Sequence, residues 1–263
     1  MGYLSDAQRL FYETNGYLMV PDALGPAELA AVRQAADEAE ERFRRLPDLP
    51  GSRIPEFLEI EGILEHHPLF FDLALHPRVF PLVRELVGPD IALVDHAYYV
   101  TPPGGVVKGI AWHTDTGHRI HGVDLPRSVL MMRAIFALTD IEDDGGATLV
   151  LPGSHRYSEE VAIPRVEWPE QMPCAVRLSC RAGSAYFYNG YLLHCPGNNC
   201  SPRGVTRRVV LFNYGHRWMR MWKGHEPSAW LAGRATTPMR RQLLGLCRAY
   251  YGADAPLESA AAS

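Results

Sequence analysis

Over the first ninety residues, apolar side chains recur mainly at the 3.6-residue spacing that is typical of amphipathic helices. Ser5 and Gln8 form a capping-box signature ahead of the first of these stretches, and a glycine follows it where helices end. The predicted helices are one that ends at Gly16, one over residues 26–45, and two short ones over residues 68–87 that are broken near His76-Pro77 and stopped by Gly88.

Two segments of this part do not follow the helical spacing. Tyr17 to Val20 is a short apolar run and is strand-like. Residues 46–67 are irregular and contain three prolines and a glycine within ten positions of their start. We predict a long loop there, of the kind that often serves as a functional lid.

Beyond residue 90 the pattern changes to short apolar or alternating runs, which Gly, Pro and Asp turns separate. The predicted strands are residues 91–100, 106–112, 129–138, 148–151, 175–178, 184–188, 191–194 and 207–214. Eight such strands after a helical part predict a mainly β fold with flanking helices, built on a double-sheet jelly roll. A helix over residues 238–251 should follow the last strand.

No Gly/Ser-rich or charged linker interrupts the sequence, so we predict a single domain over residues 1–263. Its parts would be a helical N-terminal part (1–90), a jelly-roll core (91–216) and a C-terminal helix (217–263). With 47% hydrophobic and 21% charged residues, the chain has ordinary globular composition and can bury a substantial core.

The charge balance narrows the class of partner. A net charge of −4 and an isoelectric point near 6.3 provide no basic field for nucleic acid. No stretch is as long and apolar as a membrane span, and the first residues do not resemble a signal peptide. We therefore expect a cytoplasmic protein that acts on a small molecule, as a monomer or a homodimer, without a membrane partner.

Candidate chemistry appears first at Trp112-His113-Thr114-Asp115. Residues two apart on a strand point to the same side, so His113 and Asp115 can face one centre. An imidazole and a carboxylate, completed by one distant histidine, form the 2-His-1-carboxylate triad that is typical of non-haem Fe(II) oxygenases. A lone His-x-Asp motif is weak evidence, and the interpretation therefore needs partners elsewhere in the chain.

Suitable partners follow in order. His194 closes an apolar run, and Arg207 and Arg208 open the next one. Together with the His-x-Asp pair they form an ordered set, which predicts a metal site made of His113, Asp115 and His194. Neighbouring residues on a strand face opposite ways, so one arginine should point inward and the other outward, and periodicity alone permits either register.

At these residues the chain resembles the phytanoyl-CoA dioxygenase-like (PhyH) family of Fe(II)/2-oxoglutarate oxygenases. Residues 15–24, Asn-Gly-Tyr-Leu-Met-Val-Pro-Asp-Ala-Leu, resemble the family's opening strand and its turn into a helix. Residues 136–155, which end in Pro-Gly-Ser-His, resemble its central run. Asn199 and Ser201 match its pattern after the distal histidine. The resemblance covers most of the chain.

The resemblance implies a double-stranded β-helix core of the jelly-roll, cupin-like type. It also implies that His113, Asp115 and His194 are catalytic residues that bind Fe(II), with 2-oxoglutarate and O2 as cosubstrates. The expected reaction is hydroxylation or desaturation of an unactivated C–H bond. Related halogenases have Gly or Ala in place of the carboxylate that Asp115 supplies, so chlorination is not expected.

The far carboxylate of 2-oxoglutarate requires a cation with a planar fork, for which arginine suits better than lysine. The resemblance points to Arg207, although two extra residues around 203–206 lengthen its spacing from His194. Weaker candidates for cofactor-binding contacts are Thr101, Lys108, Asn199 and Ser201. The polar loop after the His-x-Asp motif offers candidates for substrate binding, which are His118, Arg119, His121 and Arg127. A solvated connection explains that loop equally well.

Two other functions remain open from the sequence. A zinc- or other metal-dependent hydrolase or isomerase on the same jelly roll would use metal-bound water. Separately, Cys195 and Cys200 flank His194 and could bind metal, which would make a closed, Cys/His-rich zinc site. A binding protein without turnover is the second alternative, but it would be expected to have lost metal ligands. The five cysteines show no paired spacing and are expected to be reduced. For the oxygenase, the composition suggests bacterial biosynthetic tailoring of an unidentified substrate.

Overall fold

The computed structural model describes residues 2–45, 51–54, 57–105, 112–116, 129–157, 162–219 and 226–247. Its helices in these ranges are α1 (Asp6–Asn15), α2 (Pro26–Arg45), α3 (Leu69–Ala74), α4 (Phe80–Val87), α5 (Ala229–Arg234) and α6 (Pro238–Leu243). Its strands are β1 (Tyr17–Val20), β2 (Gly51–Ile54), β3 (Phe57–Glu61), β4 (Ile91–Thr101), β5 (Met132–Ala137), β6 (Thr148–Val150), β7 (Val176–Arg177), β8 (Ala185–Asn189), β9 (His194–Pro196) and β10 (Arg207–His216). Within the described residues, each helix is too short or too polar to cross a membrane.

The strands form two antiparallel sheets. The large sheet has the strand order β1-β8-β5-β10-β4-β3-β2, and the small sheet has the order β7-β6-β9. β10 and β4 are the longest strands, and they pair along their whole length from Arg207 opposite Thr101 to His216 opposite Ile91, with a bulge after Asn213. The register of this central pair therefore fixes which residues of β4 and β10 lie side by side on each face of the sheet.

The large sheet separates two apolar layers. Its outer face packs against the helices, where Val210 and Phe212 join the same buried cluster as Val32 and Phe43 of α2. Its inner face packs against the small sheet through a second cluster that includes Leu211. Alternate residues of β10 thus serve the two layers, as the period of two in a strand requires. Two facing sheets flanked by helices agree with the predicted jelly roll.

The sequence signals at the helix ends are confirmed. The Ser5 side chain accepts from the backbone N–H of Gln8, and the Gln8 side chain accepts from the N–H of Ser5, which completes the capping box of α1. α2 spans the predicted residues 26–45. The two short helices α3 and α4 lie on either side of the predicted break, and the second ends at Gly88.

The prediction of a long loop over residues 46–67 was wrong. β2 and β3 lie within this segment and extend the large sheet beyond β4. The burial of β3 alternates between half-buried and buried residues, but its five residues are too few to stand out among neighbouring prolines. Because β1, β2 and β3 all join the large sheet, residues 1–90 are not a purely helical part.

The closing helix is also shorter than predicted. α6 ends at Leu243, whereas the sequence pattern extended it to Tyr251, which lies outside the described residues. Gly245 follows with a φ of +68°, a left-handed conformation that is typical of a residue just beyond a helix end. The apolar spacing beyond this glycine is therefore not evidence for a continuing helix.

Substitution of Gly16, which follows the last residue of α1, tests how closely this turn packs against His155 and Leu192. Its φ is +82°, and a Cβ atom there would lie 2.5 Å from Nδ1 of His155 and 2.8 Å from Cδ1 of Leu192. Gly204 has a similar φ of +69° but no atom within 4 Å of its Cβ position. Both Gly→Ala changes should lower the free energy of unfolding by about 1–2 kcal/mol through backbone strain. Gly16→Ala should lose about 1–3 kcal/mol more through overpacking.

Urea denaturation of the two variants beside the wild type measures both losses. Equal destabilisation by Gly16→Ala and Gly204→Ala would show that the contact with His155 and Leu192 does not constrain this turn.

Candidate metal and cosubstrate site

A short backbone bridge brings two distant segments together at the site. The N–H of His113 donates to the carbonyl of His194 at 3.0 Å, and the N–H of His194 donates to the carbonyl of His113 at 3.0 Å. Both side chains then lie on the same side of the bridge, with their ring centroids 4.3 Å apart. Pairing of the backbone therefore juxtaposes the two imidazoles.

Asp115 reaches the same place from a turn. The N–H of Asp115 donates to the carbonyl of Gly190 at 2.9 Å, and Thr116 donates to the same carbonyl at 3.2 Å. A Cβ atom on Gly190 would lie 2.9 Å from Cγ2 of Thr116, so this close approach requires glycine. The expectation that Asp115 lies on a strand with His113 is not met, because the extended pairing ends at His113. Most of the predicted strand over residues 106–112 lies outside the described residues.

The three side chains converge on one point. Nε2 of His194 lies 3.5 Å from Oδ1 of Asp115, and Nε2 of His113 lies 3.8 Å from the same oxygen. All three potential ligand atoms lie within 4.8 Å of one another, and His113, Asp115 and His194 are the one such group found in the described ranges. Atoms this close can contact a single ion at ordinary metal–ligand distances.

The orientation of His194 suits a metal ligand. Its side chain is 2% exposed, and Nδ1 lies 2.9 Å from the carbonyl of Leu192, to which it can donate. Nε2 has no hydrogen-bond partner among the described residues. A histidine ligand commonly donates one ring N–H to a carbonyl while the other nitrogen faces the metal. The tilted ring of Tyr188 packs on His194 with centroids 4.6 Å apart and limits its rotation.

The carboxylate of Asp115 is held ionised. Burial alone would raise its pKa, but the Arg133 guanidinium, His194 and His113 together lower the pKa to about 2. Nε of Arg133 lies 3.0 Å from Oδ2 of Asp115 in a buried ion pair. The carboxylate is therefore negatively charged at neutral pH even without a metal.

These groups face a cavity of about 410 Å³ between the two sheets. The lining comes from five strands of the large sheet, two strands of the small sheet and the segment that carries the His-x-Asp motif. The lining residues are Phe57, Glu59, Tyr99, His113, Thr114, Asp115, Arg133, Ile135, Thr148, Tyr188, His194, Pro196, Arg207 and Leu211. Arg133, Arg207 and several aromatic rings thus line the same cavity as the candidate ligands.

Arg207 points into this cavity and is 5% exposed. Its Nη2 lies 3.4 Å from the Thr148 hydroxyl and 3.5 Å from the Tyr186 hydroxyl, both long for hydrogen bonds. Within the described part of the chain, Nε of Arg207 has no hydrogen-bond partner and no carboxylate forms an ion pair with the guanidinium. A buried guanidinium without a carboxylate partner is costly, and its position therefore favours binding of an anion.

Arg208 points the other way. Its guanidinium donates to the hydroxyl of Tyr98 and to Asp37 of α2, and it lies 4.0 Å from Glu40. It thus connects the outer face of the large sheet to a helix. The sequence allowed either arginine to face inward. The structure has Arg207 facing the cavity and Arg208 facing α2.

The weaker candidates lie elsewhere. Nδ2 of Asn199 donates to the carbonyls of Thr101 and Val205, and its Oδ1 accepts from the N–H of Ser201. The Ser201 hydroxyl accepts from the N–H of Val205. Asn199 and Ser201 therefore shape the loop that leads into β10, and neither they nor Thr101 line the cavity. The remaining candidates lie outside the described residues: Lys108, His118, Arg119, His121 and Arg127.

Sequence reasoning missed Arg133, although a signal was present. It is a single charge within the apolar run of β5, and such a charge requires a partner if the strand is buried. The hydroxyl groups of Tyr186 and Thr148 near Arg207 gave no such signal, because both residues also suit an ordinary strand.

The cysteines do not join the metal ligands. The group of candidate ligands contains neither Cys195 nor Cys200. Burial raises the pKa of the Cys195 thiol to about 12, which disfavours the thiolate that zinc would bind. Cys200 is exposed.

Comparison with known proteins identifies the family. The sequence profile described as "Phytanoyl-CoA dioxygenase (PhyH)" matches residues 12–209. The chain belongs to this family. The resemblance seen in its motifs is therefore confirmed, and membership makes the protein a non-haem dioxygenase that depends on iron and 2-oxoglutarate.

Individual members and solved structures share only about a quarter of their residues or fewer with this chain. An ectoine dioxygenase of Nocardia farcinica is 26% identical over 239 residues, which cover 81% of this chain and 78% of the relative. HygX from Streptomyces hygroscopicus, with nickel and 2-oxoglutarate bound, has a TM-score of 0.68 at 18% identity and covers 83% of this chain and 90% of HygX. SnoK, a "non-heme alpha ketoglutarate dependent carbocyclase" from nogalamycin biosynthesis, has a TM-score of 0.64 at 24% identity and covers 81% of this chain and 85% of SnoK. The structural likeness confirms the cupin-like jelly-roll fold.

The opposite orientations of Arg207 and Arg208 lead to a paired prediction. Arg207→Ala should weaken 2-oxoglutarate binding by about thirty- to a thousand-fold, on the order of 2–4 kcal/mol, because a charge-assisted contact in a buried site is lost. Arg208→Ala should leave it within about threefold, because its partners are Tyr98 and the acids of α2. Anaerobic titration of both metal-loaded variants with 2-oxoglutarate measures this difference.

Metal binding by Arg207→Ala serves as the control and should stay close to the wild type. The reverse ranking of the two arginines would contradict the orientation of β10.

Proposed function

We propose that His113, Asp115 and His194 hold the iron, that Arg207 binds the far carboxylate of 2-oxoglutarate, and that the enzyme hydroxylates or desaturates an unactivated C–H bond of a small molecule. The observation that carries the proposal is the combination of the three-ligand cluster and Arg207 in one cavity. Among the described residues, no carboxylate forms an ion pair with Arg207 and its Nε has no hydrogen-bond partner, so the protein itself does not explain the position of this buried cation.

The residues of the cluster fit an Fe(II) ion. The cluster offers two imidazole nitrogens and one carboxylate oxygen, the ligand set that suits Fe(II) in oxygenases. In the described ranges the buried Nε2 of His194 is without a hydrogen-bond partner, and the Asp115 carboxylate is ionised. Three ligands from one side leave other positions of an ion open for a cosubstrate.

When bound, iron with 2-oxoglutarate and O2 supplies the oxidising power, as 2-oxoglutarate is converted to succinate and CO2. The protein's own part is to orient the reactants and to exclude water. Arg207 would anchor the cosubstrate at one end of the cavity, and the Thr148 and Tyr186 hydroxyl groups beside it could donate further hydrogen bonds to the carboxylate.

The remainder of the lining suits a small organic substrate. Phe57 and Tyr99 contact each other edge to face, with centroids 5.2 Å apart, and Ile135 and Leu211 add apolar surface. The volume is in the range of ordinary small-molecule sites. The names of the relatives, an ectoine dioxygenase and a carbocyclase from nogalamycin biosynthesis, support a role in bacterial biosynthetic tailoring.

A hydrolase or isomerase that uses metal-bound water explains less of the site. Such an enzyme would not require a buried arginine that faces the ligand cluster. The cysteines that would favour zinc are absent from that cluster.

Single changes of the three candidate ligands test the assignment. The anaerobic wild type with Fe(II) and 2-oxoglutarate should develop a charge-transfer band in the visible region. His113→Ala, Asp115→Ala and His194→Ala should each abolish it, because each removes one ligand of the ion. The exposed Cys200→Ser serves as the control and should keep the band.

A wild type that showed no band and contained stoichiometric zinc would contradict the proposal. So would a Cys200→Ser variant that lost its metal.

A further inference from the structure

The two faces of β3 differ in character. Leu58 and Ile60 are buried in the apolar cluster that packs against the helices. Phe57 and Glu59 point the other way, as alternate residues of a strand do, and both line the cavity. An apolar residue would suit this face better if β3 served only to cover the core, so the half-buried Glu59 carboxylate indicates a polar role within the cavity.

Glu59 lies beside a pair of aromatic rings. It is directly opposite Tyr99 of β4, and Tyr99 contacts Phe57 edge to face with ring centroids 5.2 Å apart. Burial is the main cause of the raised pKa of Tyr99, and the negative charge of Glu59 adds to it. A carboxylate next to aromatic rings suits an organic cation, because the carboxylate supplies the opposite charge and ring faces attract positive charge.

The Glu59 carboxylate is separate from the candidate metal ligands. Asp115 belongs to the ligand cluster, whereas Glu59 does not. Arg133 of β5 lies against Asp115, and β10 and β4 lie between β5 and β3 in the large sheet. Strands two positions removed in this way are about 14 Å apart. After allowance for the side chains at either end, a small molecule can present a C–H bond to the ligand cluster and a second group to Glu59.

We propose that Glu59 is a specificity-determining residue that selects substrates with an organic cation, such as a protonated amine, which lies against the Glu59 carboxylate and the rings of Phe57 and Tyr99. The proposal rests on the proposed function, because it takes the ligand cluster as the place of oxidation. Neutral and anionic molecules of the same shape are disfavoured, since Glu59 would lose water without gaining an opposite charge. The distance from Glu59 to the cluster then sets which C–H bond of the substrate is oxidised.

A panel of matched probes tests the selection on the wild type. Each pair consists of an alkyl- or arylammonium ion and the neutral alcohol of the same length. Anaerobic calorimetry measures the affinity of each probe for the enzyme loaded with Fe(II) and 2-oxoglutarate. We expect the ammonium ions that bind to do so about tenfold or more tightly than their alcohols. A panel in which no ammonium ion reaches this preference would overturn the proposal.

Two matched variants assign the preference to Glu59. Glu59→Gln keeps the shape of the side chain and removes its charge. Glu61→Gln makes the same change on the same face of β3, at a residue that is not part of the cavity lining. Glu59→Gln should lower ammonium affinity about tenfold or more without weakening alcohol binding, whereas Glu61→Gln should leave both within about threefold of the wild type. Equal weakening of both probes by Glu59→Gln, or an unchanged ammonium affinity, would overturn the proposal.

If Glu59→Gln does not fold, Phe57→Leu decides instead. It removes a ring and keeps an apolar side chain, so ammonium affinity should fall about threefold or more while alcohol affinity stays close to the wild type. An unchanged ammonium affinity in Phe57→Leu would overturn the proposal.

The charge-transfer band of the wild type separates this proposal from the proposed function. The band depends on the iron ligands and 2-oxoglutarate, and Glu59 takes no part in it. A wild type that shows the band but has no preference for cations would overturn the role of Glu59 alone. A wild type without the band would overturn the proposed function, and the role of Glu59 with it.

Discussion

The reciprocal hydrogen bonds between the backbones of His113 and His194 are the contact on which the candidate site depends. They join the segment that carries the His-x-Asp motif to β9, at the edge of the small sheet. This bridge holds the two imidazoles side by side, whereas Asp115 is placed separately by the hydrogen bond of its N–H to the carbonyl of Gly190. Hydrogen bonds of the main chain thus place the two imidazoles, and the chemistry of the site then depends on these side chains.

Charge pairing within the cavity assigns its two arginines different roles. Arg133 is matched by Asp115 and is held by Asn213 of the sheet. Arg207 has hydroxyl groups near it but no carboxylate among the described residues. Because an uncompensated buried cation is costly, we propose that an anionic ligand compensates Arg207, whereas Asp115 compensates Arg133 within the protein.

Much of this arrangement could be predicted from the sequence. The helix ends carried local signals such as the capping box of α1. The candidate metal ligands and Arg207 stand at positions that match motifs of the family. β3 could not be distinguished from a loop, because an alternation of five residues is weak among prolines. The position of Asp115 in a turn depends on Gly190, which is distant in the sequence, and the pairing of Arg133 with Asp115 depends on tertiary structure. Local patterns do not report such contacts.

Isotope labelling of succinate shows whether the cavity uses 2-oxoglutarate and O2 for oxidation. The Fe(II)-loaded wild type is incubated with 2-oxoglutarate under 18O2 in unlabelled water, and succinate is analysed by mass spectrometry. We expect succinate that carries one 18O atom from O2, and loss of its formation in His194→Ala. Absence of labelled succinate from the iron-loaded, 2-oxoglutarate-bound wild type would contradict this expectation, as would formation of labelled succinate at the wild-type rate by His194→Ala.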